Sequence, residues 1–415
     1  HYLNRIITNP LYNRLRRDIE ERVARLPKGR RLVRLGRKVE ESLKGLLVPG
    51  LLFEELGLRY VGPIDGHNLP ELIATLKNLK RLKGPIVLHA LTTKGKGYRP
   101  AEQDPERFHK IEPFDVATGQ LKPHDSRLRT RGSRIRNGVE ASATFTSAFS
   151  EEMLRLAEAD TRLIAITAAM PEGTGVAPFG KRFPNRYIDV GMAEQHALGL
   201  AAGLARAGQR PVVALYSSFL QRAYDQVMHE LCLQRLPVVL AIDRAGLVGE
   251  DGPTHHGLFD VAALRVFPHL TMLSPKDPEE LKAMLRWALA RPGSEIDGRA
   301  GDVRGPIVIR YPRGGALGES IGRCTRIVAG KAEPLRTGSD VAIVALGALV
   351  YPALQAAAQL NSIGIDAAVV NARFIKPLDE TLLRQLAEQV QGLLTVEEEQ
   401  VSGGFGSPVS ESLDR

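Results

Sequence analysis

The chain has 415 residues, 43% of them hydrophobic and 25% charged, with a net charge of +9 and only two cysteines, Cys232 and Cys324. That length holds two or three domains with real cores, and the composition is that of an ordinary globular protein. No uncharged apolar run reaches the length of a membrane span and no secretory signal is visible. The distant cysteines lack metal-ligand spacing and point to a reducing, cytoplasmic setting.

The charge is concentrated at the start. Residues 1–50 hold 13 Lys and Arg against five Asp and Glu. A basic arm at 14–38 raises nucleic-acid binding, but it lacks interleaved aromatics. Leu15, Ile19, Val23 and Leu26 recur at helical spacing, so an amphipathic helix with a solvated basic face is expected and no nucleic-acid partner.

From residue 51 the pattern turns to alternating strand and helix. The expected order is a strand at 59–61, a Gly/Pro turn at 62–67, a helix at 69–82 and a strand at 85–91. His67 sits in the first turn, as a proton donor or as a turn residue. Lys94 sits between glycines after the next strand, where backbone approaches an anion closely, a weaker signal than a true P-loop. Residues 113–140, charged and poor in apolar runs, read as a linker.

A second series fills 141–320. It has a helical stripe from Phe145 to Leu156, a strand at 163–167, a loop at 170–175 and a short buried strand at 187–190. A turn containing Met192 and Glu194 then leads into a helix at 197–207. Strands at 211–215, 238–242 and 307–309 follow. Each ends in polar residues: Tyr216 and Arg222 after one, Arg244, Asp251 and His255 after the next, Arg313 after the last. In a parallel sheet those ends lie along one edge, where α/β proteins bind their ligands.

Glu194 has no basic neighbour within three positions. A carboxylate buried in that turn can exchange protons with a ligand; a solvated glutamate can equally cap the helix. Arginine forks match phosphate and carboxylate groups, although Arg222 and Arg244 also have Asp225 and Asp243 as local partners. His255 and His256 lack a third ligand at zinc spacing, so no metal is assigned there. Met228 and Trp287 fall on helical stripes and are expected in the core. A third series, 321–415, runs strand 341–346, helix 350–360, strand 367–370, a helix from 378 and strand 393–396. A further helix is expected after Gly406.

The stretches YVGPIDGHN (60–68), LTTKGKGYRPAEQDPERFH (91–109), DVGMAEQHA (189–197), YSSFLQRAYDQV (216–227), AIDRAGLVGEDGPTHHGLFD (241–260), RYPRG (310–314) and NARFIKPLD (371–379) together resemble the 1-deoxy-D-xylulose-5-phosphate synthases. These are a transketolase-like family of thiamine diphosphate enzymes. The resemblance implies three consecutive parallel-sheet α/β domains, the first and last incomplete. Residues 1–112 would be the late part of the diphosphate-binding domain, 141–320 the pyrimidine-binding catalytic domain and 321–415 the transketolase carboxyl-terminal domain.

It also implies a transferase reaction joining pyruvate to glyceraldehyde 3-phosphate with loss of carbon dioxide, feeding isoprenoid, thiamine and pyridoxal synthesis, in a cytoplasmic homodimer. Glu194 would bond the aminopyrimidine of the cofactor, with Phe219 packed on that ring and Met192 and Lys94 also on the cofactor. Asp251, His255 and His67 would stand near the reacting carbons. Arg222 and Arg313 would clamp the aldehyde's phosphate, with Tyr216 and Arg244 beside them. The Gly-Asp-Gly signature that holds Mg2+ is absent, so magnesium ligands are expected in an amino-terminal segment outside these residues. A transketolase or a pyruvate dehydrogenase beta subunit would keep Glu194 too, with less reason to combine the THHG loop with the two arginines, and a silent fragment or assembly partner would show the same motifs without activity.

Overall fold

The computed structural model describes residues 50–105, 108, 114–120, 144–290, 305–317 and 326–414. The basic arm and most of the expected linker lie outside the described residues. The chain divides into two units, His1–Thr130 and Arg131–Arg415, each taken here by itself.

In the first unit, β1 (Arg59–Asp65) and β2 (Ile86–Leu91) pair in parallel across the helix Leu69–Leu79. Parallel neighbours require such a crossover. The helix starts where the Asn68 side chain accepts the Glu71 amide, a cap that satisfies one of the open helical donors. β1 runs four residues further than expected. Its register shifts between Val61 and Ile64, around a proline that cannot donate to the ladder, and pairing resumes beyond it.

In the second unit, seven strands stand in the order β12-β7-β8-β6-β5-β3-β4. They are β3 (Leu163–Thr167), β4 (Tyr187–Asp189), β5 (Arg210–Tyr216), β6 (Val239–Asp243), β7 (Thr271–Leu273), β8 (Ile307–Arg310) and β12 (Phe374–Lys376). All pair in parallel except β12 with β7. β3, β6 and β8 are buried throughout, as strands covered on both faces should be.

Alternation along β3 sends Leu163 and Ala165 to one face and Ile164 and Ile166 to the other. The first face packs on Phe145, Phe149 and Met153 of the helix Phe145–Ala159 and on Leu281, Met284 and Trp287 of the helix Pro278–Ala288. The second packs on Ala197, Leu198, Ala201 and Ala202 of the helix Glu194–Arg206. Trp287 is core as expected, while Met228 is only partly buried against it. β4 is a half-buried edge strand, not the buried one expected, because nothing pairs on its outer side within the sheet.

A second sheet, β13-β10-β11-β9, holds β9 (Glu333–Arg336), β10 (Val341–Ala345), β11 (Ala367–Asn371) and β13 (Gly392–Val396). It is parallel apart from β9. Val344, Val370 and Phe405 share one apolar cluster with Ile166 and Leu198, so the last two αβ series form a continuous core. β12 belongs to the third series by sequence yet extends the second series' sheet. The helix Gly406–Leu413 closes the chain where one was expected.

Candidate active site

The parallel sheet brings the polar ends of β4, β5, β6 and β8 to one edge. After β4, the Asp189 carboxylate accepts the amides of Ala169 and Gly191 at 2.8 and 2.9 Å. That bends the chain into the helix Glu194–Arg206. Glu194 is the first residue of this helix rather than part of the turn before it. A carboxylate is favoured there by the exposed amides of the first turn, but it is no solvated cap, being only 1% exposed. Its Oε1 accepts Arg222 Nη1 at 2.6 Å, and its Oε2 has no hydrogen-bond partner among the described residues. Buried carboxylate oxygens are seldom left unmet, so Oε2 marks a place for an incoming donor.

Beyond β5 the backbone breaks into short pieces: helix Ser217–Leu220, a 3-10 turn Gln221–Ala223, helix Tyr224–Gln226 and a π-helix Val227–Cys232. Such interruptions of regular helix recur at functional sites. Here they present Tyr216, Phe219 and Arg222 together. The rings of Tyr216 and Phe219 stack with centroids 5.5 Å apart, and His255 meets Phe219 edge-on at 5.3 Å. The Arg222 guanidinium lies 5.3 Å from the Phe219 ring. Arg222 therefore pairs with Glu194, 28 residues away, and not with Asp225. One edge of the expected phosphate fork is committed to that carboxylate.

At the end of β6, Asp243 is fully buried and accepts Thr146 Oγ1 at 2.9 Å and the Arg244 amide at 2.7 Å. Arg244 adopts a positive φ of 61° and folds back, its Nη1 3.0 Å from Asp243 Oδ2 and bonded to the Gly173 carbonyl. The local pairing of Arg244 with Asp243 thus holds. Its guanidinium lies 4.2 Å over the Tyr216 ring, a cation–π arrangement, and its Nε is 3.7 Å from Asp251. Arg313, after β8, reaches Asp251 Oδ1 at 3.4 Å. Tyr216 is held neutral, its pKa raised mainly by burial and opposed by Arg244.

One contact chain therefore runs Glu194, Arg222, Phe219, Tyr216, Arg244, Asp251, Arg313, with His255 on Phe219. Met192 stands 85% exposed, two residues before Glu194. In the first unit, His67 Nε2 accepts the Thr93 amide at 2.7 Å, so the ring ties two strand-end turns as a turn residue would. Lys94 is exposed in the second of those turns. Among the described residues no group of three or more His, Cys, Asp or Glu is arranged to hold a metal ion.

Sequence reasoning missed two contributors. Thr146 donates to Asp243, the local partner expected for Arg244, and Gly173 makes room for Tyr216. A Cβ at Gly173 would lie 1.6 Å from the tyrosine hydroxyl, so only glycine permits that approach.

Family models match the chain in three consecutive parts. The amino-terminal model, described as 1-deoxy-D-xylulose-5-phosphate synthase, matches residues 1–92. The transketolase pyrimidine-binding domain matches 141–315, and the transketolase carboxyl-terminal domain matches 330–415. The 1-deoxy-D-xylulose-5-phosphate synthase of Heliobacterium modesticaldum is 51% identical over all of this chain and 60% of its own length. The chain belongs to the 1-deoxy-D-xylulose-5-phosphate synthase family. A synthase of the same name from Desulforudis audaxviator is 48% identical over 99% of the chain and 61% of its own length. The chain thus spans about three fifths of the curated family members it matches.

Among solved structures, a split-gene transketolase described as an inactive β4 tetramer is similar with a TM-score of 0.58 and 31% identity. The match covers 66% of this chain and 85% of that one. The transketolase of Leishmania mexicana, at 19% identity and a TM-score of 0.51 over 66% of this chain and 44% of its own, shares the fold. The transketolase-type architecture follows from these likenesses.

Burial pushes the Asp243 carboxyl up to about 6, while Arg244 and the Thr146 hydroxyl oppose the rise. A carboxyl raised on folding contributes stability that is complete below its unfolded pKa, near 4, and is lost as pH rises through the folded value. Urea midpoints should therefore fall between about pH 4 and 6 in the unaltered chain, and this part of the slope should vanish in Asp243→Asn. Parallel slopes for the two proteins would contradict the assignment.

Proposed function

We propose that this chain carries the pyrimidine-side catalytic machinery of a thiamine diphosphate-dependent condensation. Pyruvate and D-glyceraldehyde 3-phosphate would give 1-deoxy-D-xylulose 5-phosphate and carbon dioxide, the first step of a route to isoprenoids that also supplies thiamine synthesis. The observation that carries the reading is Glu194: a carboxylate buried at a helix start, one oxygen held by Arg222 and the other unmet. Those features fit an aminopyrimidine ring nitrogen at Oε2, with the Phe219 ring as its packing surface. When bound, the cofactor supplies the electron sink for decarboxylation.

The chain's own residues then have separable tasks. Arg222 orients Glu194 by occupying Oε1. Arg244, pinned by Asp243 and Gly173, holds Tyr216 through its ring face and stands beside Asp251. Arg313 offers a cation for the aldehyde's phosphate, and His255 a proton-exchanging group on the other side of Phe219. On this reading Met192 also touches the cofactor, and Mg2+ is held outside the described residues. The working form is a cytoplasmic homodimer.

A second reading, that these 415 residues are silent by themselves, is favoured by the split-gene transketolase, whose similar chain forms an inactive β4 tetramer. Both readings are tested by assaying the chain alone and mixed with the part of the Heliobacterium relative that it does not cover, supplied with thiamine diphosphate and Mg2+. Turnover is expected only in the mixture. Turnover by the chain alone rejects the silent reading, and none in either assay rejects the catalytic one.

Within the mixture, Arg313→Ala removes a charge-assisted contact of about 1.5–3 kcal/mol. At 1.4 kcal/mol per decade, use of glyceraldehyde 3-phosphate should weaken roughly 10- to 150-fold. Arg313→Lys should rescue in part, since a point charge replaces a fork. An equal loss for pyruvate, or for unphosphorylated glyceraldehyde, would reject the clamp.

A further inference from the structure

The run Glu397, Glu398, Glu399 follows β13 in the third series, and the proposed reaction assigns it no task. Each of the three carboxylates is nevertheless engaged. Glu397 accepts the amides of Phe405 and Gly406, at the start of the helix Gly406–Leu413. Glu398 and Glu399 point the other way, into the second series. Glu399 bonds Arg310, the last residue of β8, which also donates to Asp260 Oδ2 at 2.9 Å. Burial raises the Glu398 carboxyl above its usual range, and Arg310 opposes the rise. Its carboxylate rests on Gly246, where an added Cβ would come within 2.6 Å of Glu398 Oε2.

Gly246 and Leu247 form one side of a neck. Gly246 and Gly257 exchange backbone hydrogen bonds of 2.9 and 2.8 Å, and the Val248 amide donates to His256 Nδ1 at 3.1 Å. Ala245 is tied inward to the Tyr311 carbonyl. The loop closed by this neck carries Asp251 and His255. Arg310 precedes Arg313 by three residues, so its pairing holds the strand end that bears that arginine.

We infer that Glu398 and Glu399 are positioning residues for the active-site edge, seating the neck of loop 246–257 and the end of β8 so that Asp251, His255 and Arg313 stand where they do. On this account the third domain contributes to the site through two glutamates that never touch substrate. A buried guanidinium facing several carboxylates is a costly arrangement whose partners must all be present, and a side chain packed on a neck glycine limits how readily the neck opens.

The inference rests on the proposed reaction only for what the loop does, so its test is read first without turnover. Amide hydrogen exchange is followed by mass spectrometry in the 415-residue chain and in Glu398→Ala, Glu398→Gln and Glu399→Gln. Glu398→Ala removes the side chain packed on Gly246 and should speed exchange at Gly246 and Gly257 by about tenfold, with β5 and β6 unchanged. Glu398→Gln keeps the packed shape on Gly246 and should restore most of the protection. Glu399→Gln should loosen residues 310–313.

In the complemented assay, Glu398→Ala should raise KM for glyceraldehyde 3-phosphate several-fold more than KM for pyruvate. Unchanged loop exchange in Glu398→Ala overturns the inference. So does acceleration spread equally over β5 and β6, which marks general loosening, and so does a glutamine variant no better than alanine. A protected loop in an inactive mixture would instead reject the reaction and leave the loop result to stand by itself.

Discussion

Glu194→Gln is expected to lower turnover of the complemented enzyme about 100- to 10,000-fold, the usual contribution of a positioned acid–base group. The amide keeps the side chain's shape and can still face Arg222 through its oxygen. It puts an NH2 group or a neutral oxygen where the second carboxylate oxygen stood, so it cannot exchange a proton there. The loss should fall on kcat, with little change in the urea midpoint, because the 2.6 Å contact joins a buried oxygen to a half-exposed arginine. Steady-state kinetics with each substrate varied, alongside unfolding of the same preparation, separates the two effects. Turnover near that of the unaltered enzyme would leave Glu194 as a buried helix-start residue only.

The second large effect is on stability and arises away from the active-site edge. Glu280 has no exposed surface. It accepts the Lys276 amide at 2.7 Å, Lys276 Nζ at 3.2 Å, Asn371 Nδ2 at 3.0 Å and Arg373 Nε at 2.7 Å. Glu333 completes the group, 2.9 Å from Lys276 and 2.8 Å from Arg373. Among the described residues, these two cations and two carboxylates bond one another, with buried Asp277 beside Lys276, and join the helix Pro278–Ala288 to β9 and to the end of β11.

Glu280→Ala takes one bonded carboxylate from two buried cations. Breaking a buried pair costs about 3–5 kcal/mol because the remaining charge is uncompensated, a large share of the roughly 5–15 kcal/mol that holds a domain folded. The exposed pair Arg384–Glu380, at 3.0 Å, serves as control, since surface pairs contribute about 0–1 kcal/mol. Urea denaturation should show a marked fall for Glu280→Ala and almost none for Arg384→Ala. Equal losses would mean that the buried group contributes no more than a surface contact.

Much of the fold was legible from local pattern. β3, Leu163–Thr167, is a run of five buried residues between breakers, and it was placed without error. β10, β11 and β13 were located to within a residue or two. The misplacements have local causes. β1 continues past a Gly-Pro pair because pairing resumes after a register shift. Glu194 was put in a turn because the helix has no side-chain cap at Ala193 to announce its start. β12 is three residues long, too short for alternation to show.

By itself the sequence determined which residues end the parallel strands, and hence that Glu194, Tyr216, Arg244 and Arg313 gather along one edge. Periodicity and residue chemistry are local properties, so they survive in a linear reading. Only the tertiary structure decided the partners: Arg222 with Glu194 across 28 residues, Arg373 with Glu280 across 93, and Glu399 with Arg310. A guanidinium bonds whichever carboxylate the strand order brings within reach, and strand order is set by which apolar faces pack together, a choice that no single stretch of the chain contains.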